Sequence, residues 1–283
     1  SIAALALRGS GRIETGGGAL PAGLIGGTVR FDAQGIEASD AALGQAIGPD
    51  ISGKAIFQWQ PGGDLRLSAL DVTGQGYGAS GSLAIGGLEG GLEVTPRLTA
   101  TVADLGRFEG LAGRAIGGSG ELSVRGSYGI LSGVVDGDMT VRGRDLSISQ
   151  TEIDNLLKGG ALFSASVRRD ESGTHIRSSS LKARALTASA QGVIASTESS
   201  LTADLDFSDL SALGGRYRGA LKASASMTGP AEAREIVLAA TSDRLAVGQS
   251  EIDRIIGSPA DLSLAIVQRG SVVDLRSFSL SNS

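Results

Sequence analysis

One stretch of this chain occurs twice, and that repeat limits the fold more than any other feature. The segment Leu146-Ser-Ile-Ser-Gln-Thr-Glu-Ile-Asp-Asn-Leu-Leu157 returns 99 residues later as Leu245-Ala-Val-Gly-Gln-Ser-Glu-Ile-Asp-Arg-Ile-Ile256. The register then holds without a gap, so that Arg177 and Leu181 match Arg276 and Leu280. A weaker copy begins near Ile36, with Leu43 and Ile47 falling on Ile153 and Leu157 at an offset of 110. The middle of the unit recurs as well. Leu98-Thr-Ala-Thr-Val102 followed by Asp104-Leu105 matches Leu201-Thr-Ala-Asp-Leu205 followed by Asp209-Leu210, and Gly120-Glu-Leu-Ser-Val124 matches Gly219-Ala-Leu-Lys-Ala223. A unit of roughly 100 to 110 residues is too long for a helical solenoid repeat. The spacing divides the chain into the end of one repeat (1–35), two full repeats (36–145 and 146–244) and the start of another (245–283).

Within a unit, apolar residues fall at every second position, as in Leu65 and Leu67, Leu83 and Ile85, or Leu201, Ala203, Leu205 and Phe207. A period of two means strands with one apolar and one polar face. The intervening residues include Arg66, Ser123, Thr202, Asp204, Asp206, Lys222 and Ser224, so the second face can meet water. Parallel sheets covered on both faces show continuous apolar runs instead, so the alternation predicts antiparallel pairing. Two segments break the pattern. Ile153, Leu156 and Leu157, and again Ile252, Ile255 and Ile256, have i, i+3, i+4 spacing and predict short helices over 152–158 and 251–257. Thr151 with Asp154 and Ser250 with Asp253 have the spacing of a capping pair, while Gly159-Gly160 and Gly257 with Pro259 supply the stops. These helices are expected to plug the sheet between repeats.

The chain holds 44 glycines and 4% aromatic residues, leaving few large side chains to fill a thick globular core, yet 41% of its residues are hydrophobic. Many thin strands with glycine turns satisfy both facts, and disorder does not. The net charge of −5, with basic residues scattered, argues against a nucleic-acid partner. There is no cysteine, so disulfides and thiolate chemistry are excluded. The longest apolar run, Ile2 to Leu7, is much shorter than the ~20 residues of a membrane helix. A start in mid-pattern at Ser1 and a stop just after Phe278 and Leu280 read as a fragment of something longer.

Sites of chemistry are not expected. Gly76-Tyr-Gly-Ala-Ser-Gly81 matches a dinucleotide fingerprint, but a strand pattern follows where a helix is needed to hold pyrophosphate. Gly48-Pro-Asp-Ile-Ser-Gly53-Lys54-Ala55 resembles a phosphate loop but has Ala55 in place of the hydroxyl, and Pro49 removes a backbone N–H. It reads as a turn. His175 is the single histidine, so no multi-histidine metal site can form. Trp59 should face opposite to Ile56 and Gln58, as a packing residue. No catalytic residue, cofactor or metal is expected.

The cadence of the repeat, with Leu201-Thr-Ala-Asp-Leu-Asp-Phe-Ser-Asp-Leu-Ser-Ala-Leu-Gly-Gly215 and the following Leu221-Lys-Ala-Ser-Ala-Ser-Met-Thr-Gly-Pro230, resembles the repeat region of the TamB family and, more distantly, AsmA-like proteins. The resemblance spans the chain without a diagnostic motif. It implies an all-β fold in which a long antiparallel sheet curls into a U-shaped trough, a β-taco, anchored in the inner membrane and crossing the periplasm of a Gram-negative bacterium. The implied roles are phospholipid transport between the membranes and assistance to outer-membrane protein assembly and secretion. The implied partners are acyl chains and, through regions outside this chain, a TamA-like outer-membrane barrel. At about 4.8 Å per strand, roughly 22 to 26 strands would extend the trough on the order of 110 Å. Its lipid-facing groove would be lined by Leu65, Leu67, Leu83, Ile85, Leu98, Val102, Leu122, Val124, Leu201, Leu205, Phe207, Leu221, Met227, Leu262, Leu264 and Ile266. The rival expectation is a secreted β-solenoid adhesin or autotransporter passenger, although such coils repeat every 20 to 30 residues or so. A membrane barrel would need aromatic girdles that this composition lacks.

Overall fold

A computed structural model describes residues 7–19, 23–60, 62–87, 91–256 and 259–282. The apolar run from Ile2 falls mostly outside these residues, as do Gly257 and the side chains of Ile252, Ile255 and Ile256. More than half of the chain is strand. The strands are β1 Leu7–Ala19, β2 Ile25–Ala38, β3 Ile51–Trp59, β4 Leu65–Gly74, β5 Tyr77–Gly86, β6 Glu93–Val102, β7 Gly117–Gly129 and β8 Val135–Ser147. There follow β9 Gly160–Asp170, β10 Gly173–Ala183, β11 Leu186–Ile194, β12 Ser199–Phe207, β13 Arg218–Gly229, β14 Arg234–Ala246, β15 Ala260–Arg269 and β16 Val272–Asn282. All sixteen lie in one sheet in sequence order. Every described pairing is antiparallel, as the two-faced alternation requires, and unlike the parallel coils of a β-solenoid. Sixteen strands of 9 to 14 residues replace the larger number of shorter strands expected, because hairpins that the sequence punctuates with single glycines run straight through them.

The connections sort by end. Odd strands such as β7, β9, β11 and β13 pass to the next even strand through short turns, whereas the α-helices of the described residues and the 3-10 turns after β6 and β12 sit between even and odd strands. There α1 (Ala41–Ile47) precedes β3, a 3-10 turn (Leu105–Phe108) with α2 (Glu109–Ala112) follows β6, and α3 (Thr151–Leu157) precedes β9. A second 3-10 turn (Leu210–Ala212) follows β12, and α4 (Ser250–Ile256) precedes β15. The physical repeat is therefore six strands: a helix, four strands, a 3-10 turn and two strands. Its helices begin at residues 41, 151 and 250, which accounts for the two sequence offsets.

Helix is thus not confined to 152–158 and 251–257. Of the missed pieces, α1 and the two 3-10 turns each start at an aspartate: Asp40 accepts from the Leu43 N–H at 2.8 Å, Asp104 from Gly106 at 2.8 Å and Asp209 from Ser211 at 2.9 Å. The 3-10 turns are too short to show a helical period, whereas α1 is as long as α3 and has the same i, i+3, i+4 spacing in Leu43, Ala46 and Ile47, its apolar stripe weakened by the alanine. The expected caps also differ. Gln150 is the N-cap of α3 and makes no side-chain cap, while Asp253 turns back to accept from the Val247 N–H at 2.7 Å and the Gly248 N–H at 3.2 Å.

The chain divides into two compact units, Ser1–Ser149 and Gln150–Ser283. In the second, α3 and the 3-10 turn fold onto the sheet end and bury Leu156, Leu210 and Ala212 against Leu186 and Phe207. Asn155 donates from Nδ2 to the Leu213 carbonyl at 3.1 Å, and Arg216 pairs with Glu152 at 2.7 Å. In the first, Arg107 makes the equivalent tie. Its Nε donates to the Ala46 carbonyl at 2.9 Å, a second nitrogen donates to the Gln75 carbonyl, and the guanidinium lies 4.5 Å from the centre of the Tyr77 ring.

A β-bulge recurs at matching places. In β4 it falls between Leu67 and Leu70, in β10 between Ile176 and Ser179, and in β16 at Arg276, so each lies six strands from the next. In β4 both Ser68 and Ala69 turn outward, which returns Leu70 and Val72 to the face of Leu65 and Leu67. Gly81 and Gly192 sit at the same place in the neighbouring strands, where a Cβ would come within 2.0 Å of the carbonyl oxygens of Arg97 and Ser200. A side chain does not fit there.

Candidate functional site

Residues directly opposite one another in a sheet share a face, so the register assigns every predicted groove residue to a side. In the first unit Leu65 is opposite Trp59 and Ile85, and Leu67 is opposite Phe57 and Leu83. Leu98 is opposite Gly81 and Val124, Val102 is opposite Tyr77 and Gly120, and Leu122 is opposite Ala100 and Val141. In the second, Leu201 is opposite Gly192 and Met227, Leu205 is opposite Ala188 and Ala223, and Phe207 is opposite Leu186 and Leu221. Leu262, Leu264 and Ile266 are opposite Leu280, Phe278 and Leu275 on one side, and Ala240, Leu238 and Ile236 on the other. Within each unit the predicted residues fall on a single apolar face.

The other face is polar. Exposed pairs cross it, with Arg125 and Asp138 at 2.9 Å, Arg142 and Glu121 at 2.9 Å, and Lys222 and Asp206 at 3.3 Å. Hydroxyls meet across it as well: Thr99 with Ser123 at 3.3 Å and Ser164 with Ser180 at 2.8 Å. Exposed ion pairs of this kind each contribute ~1 kcal/mol or less, so they keep the face in water more than they hold the sheet together.

Little covers the apolar face. Among the described residues the buried apolar set consists of Ala46, Leu156, Leu186, Ala195, Phe207, Leu210, Ala212, Ala260 and Val267, mostly at strand ends. Trp59, Leu122, Tyr128 and Met139, all on this face, remain at least 37% exposed. The chain exposes 16813 Å². Two compact bodies of half its mass would expose only about 13,500 Å² by the area scaling of folded monomers. In one unit, eight strands at ~4.8 Å spacing and about eight residues of apolar alternation give an apolar face on the order of 900 Å². The largest apolar patch of an ordinary monomer is roughly 300–600 Å².

The predicted set is not uniform. Phe207, Leu205 and Leu221 belong to the cluster beneath α3, where Phe207 is only 7% exposed, so part of the face is closed by the helical end. Next to it a cavity of about 360 Å³ has a floor of Ala188, Ala190, Ala203, Ala223 and Ala225 with Leu181, Leu205 and Leu238 around them. Small side chains at the centre of the strands leave this depression. In the first unit a larger concavity, about 880 Å³, lies on the polar face beside Arg30, Lys54, Asp71 and Arg97. None of the predicted residues lines it.

Sequence reasoning missed Leu70, Val72, Phe57, Ile236 and Leu238 on the apolar face. The β4 bulge hid the first two, and the adjacent Val237 masked the alternation in β14. Trp59 does face away from Ile56 and Gln58.

The set-aside motifs sit in plain structural roles. Gly76 is in the β4–β5 turn with Tyr77 to Gly81 inside β5, and Gly48 closes α1 at φ +79. His175 lies on β10, its Nε2 2.8 Å from the Ser172 hydroxyl. The Asp170 carboxyl beside it is held below its ordinary value, mainly by hydrogen bonds from the side chain and backbone of Ser172. Asp209 is lowered in the same way by Ser211. Among the described residues no group of three or more His, Cys, Asp or Glu could hold a metal ion, and no helix is long and apolar enough to cross a membrane. Comparison with protein-family models, curated proteins and solved structures finds no significant match.

Proposed function

We propose that this chain is a repeat segment of a TamB-like protein whose sheet curls into a trough, and that its apolar face carries phospholipid acyl chains between the two membranes of a Gram-negative bacterium. One observation carries the reading: a register-aligned apolar face, larger than a monomer normally leaves open, lies back to back with a charged and hydroxyl-rich face. Acyl chains need only a continuous apolar surface, because burial of hydrocarbon is non-directional. That agrees with a face built from aliphatic residues and alanine, without a convergent polar site. On this reading the protein stands in the periplasm, with membrane anchorage and contact to a TamA-like barrel made by regions beyond this chain. An unfolded outer-membrane protein strand is the second cargo that such a face would suit.

The test is a charge placed on either face of one strand. Val124→Arg puts a cation on the apolar side of β7, whereas Ser123→Arg adds one to the polar side, opposite Thr99 and Thr140. An unpaired ion among acyl chains costs several kcal/mol. Transfer of fluorescent phospholipid between liposomes should stop with the first variant and persist with the second. Equal activity of the two variants refutes the proposal.

A further inference from the structure

The apolar face of the second unit ends in two cations. Among the described strand residues that pairing assigns to that side, Arg169 and Arg234 alone are charged, and the corresponding face of the first unit has none. Both stand at the hairpin end, away from the helices. Arg169 is exposed. Arg234 is half-buried, and its Nε is buried without a hydrogen-bond partner.

None of the polar groups nearest to it in the register accepts from that Nε. Gln268, directly opposite, donates from Nε2 to the Gly270 carbonyl at 3.2 Å. The buried Ser199 hydroxyl donates to the Ala195 carbonyl at 3.0 Å and accepts from the Ala195 N–H at 3.2 Å. On the other side β13 ends at Gly229, which has no side chain to pair with. Glu235, the next residue, is on the opposite face. The hairpin tip is held in place, because the Ala231 N–H donates to the Ser196 carbonyl at 2.9 Å. A guanidinium at the margin of an aliphatic face, with one donor left over, is complementary to an anion attached to an apolar chain.

We infer that Arg234 binds the phosphate of a phospholipid whose acyl chains lie along Met227, Ile236 and Ile266. This rests on the proposed lipid-carrying role and adds an orientation: headgroup at the hairpin end, chain ends toward α3. The guanidinium fork matches two phosphate oxygens, which a lysine ammonium does not reproduce.

The experiment uses the whole chain, incubated with phosphatidylcholine vesicles containing fluorescent phosphatidylglycerol or a fluorescent diacylglycerol with the same chains. Lipid retained by the re-isolated protein is counted. The wild type should retain phosphatidylglycerol about tenfold better than the phosphate-free lipid, the effect of one charge-assisted contact. Arg234→Gln should lower phosphatidylglycerol to the diacylglycerol level and leave diacylglycerol unchanged, and Arg234→Lys should fall between. Unchanged phosphatidylglycerol retention in Arg234→Gln overturns the headgroup site while leaving the apolar carrier intact. So does protection of Arg234 from phenylglyoxal modification by inorganic phosphate as strongly as by phosphatidylglycerol. A wild type that retains neither lipid overturns this site and the proposed function together.

Discussion

Phe207 and Leu122 lie on the same side of their strands, yet truncation to alanine should affect them very differently. Phe207 is 7% exposed, stands opposite Leu186 and Leu221, and packs in the cluster with Leu156, Leu210 and Ala212. Phe→Ala in a packed core costs about 3–5 kcal/mol, the transfer of the ring plus the cavity left behind. The cluster here is one layer thick, so its neighbours can partly collapse, and the cost should be about 3 kcal/mol. Leu122 is 37% exposed and opens onto solvent, so its truncation leaves no closed cavity. Only part of a leucine transfer energy is lost, about 1 kcal/mol. Urea unfolding of the whole chain followed by circular dichroism measures both, with an unchanged slope as the control that the unfolded state is the same. Equal losses, or a larger loss at Leu122, would mean that something covers the face and would refute a core confined to the helical end.

Arg244 has φ +48, and its repeat counterparts are Asp145 at φ +51 and Gly35 at φ +60. Arg244→Gly should therefore stabilise the chain by about 1 kcal/mol, less the entropy that glycine adds to the unfolded state, and a lower urea midpoint would contradict this. Asp209 has a folded pKa below its ordinary value of 3.8 because of the Ser211 hydrogen bonds, so its contribution is present above that value and is lost as pH falls through the lower folded one. Asp209→Ala should be less stable than wild type at neutral pH, with the difference shrinking below pH 3.8; a difference that grows on acidification would show the opposite sign.

The strands and their apolar side were legible because a period of two leaves its trace in every hairpin: once Leu201 faces inward, Ala203, Leu205 and Phe207 follow. The repeat was legible as well, since its period is set by helices that begin at equivalent places. What could not be read were departures from regular geometry. The bulge at Ser68 and Ala69 reverses parity in mid-strand, so the sequence around Leu70 and Val72 looks out of phase while the sheet brings them back into line. The Asp-Leu pairs at Asp104 and Asp209 were visible as a recurrence, but a single 3-10 turn has no period to declare it. That Phe207 is covered depends on α3 docking through Asn155 and Glu152, a long-range contact that strand alternation does not encode. Arg234 was equally invisible, because an arginine next to a turn looks solvent-facing until the register assigns it a side.

The most direct test of the account uses two adjacent apolar residues of β14. Leu238 is opposite Ala225 and Leu264 and lines the alanine-floored cavity, whereas Val237 is opposite Ser226 and Ala265 and points to the polar side. A photo-crosslinking amino acid at each position, irradiated with phospholipid vesicles, separates the face from mere hydrophobicity. The account predicts phospholipid adducts at Leu238 and none above background at Val237; equal labelling at both, or none at either, would contradict it.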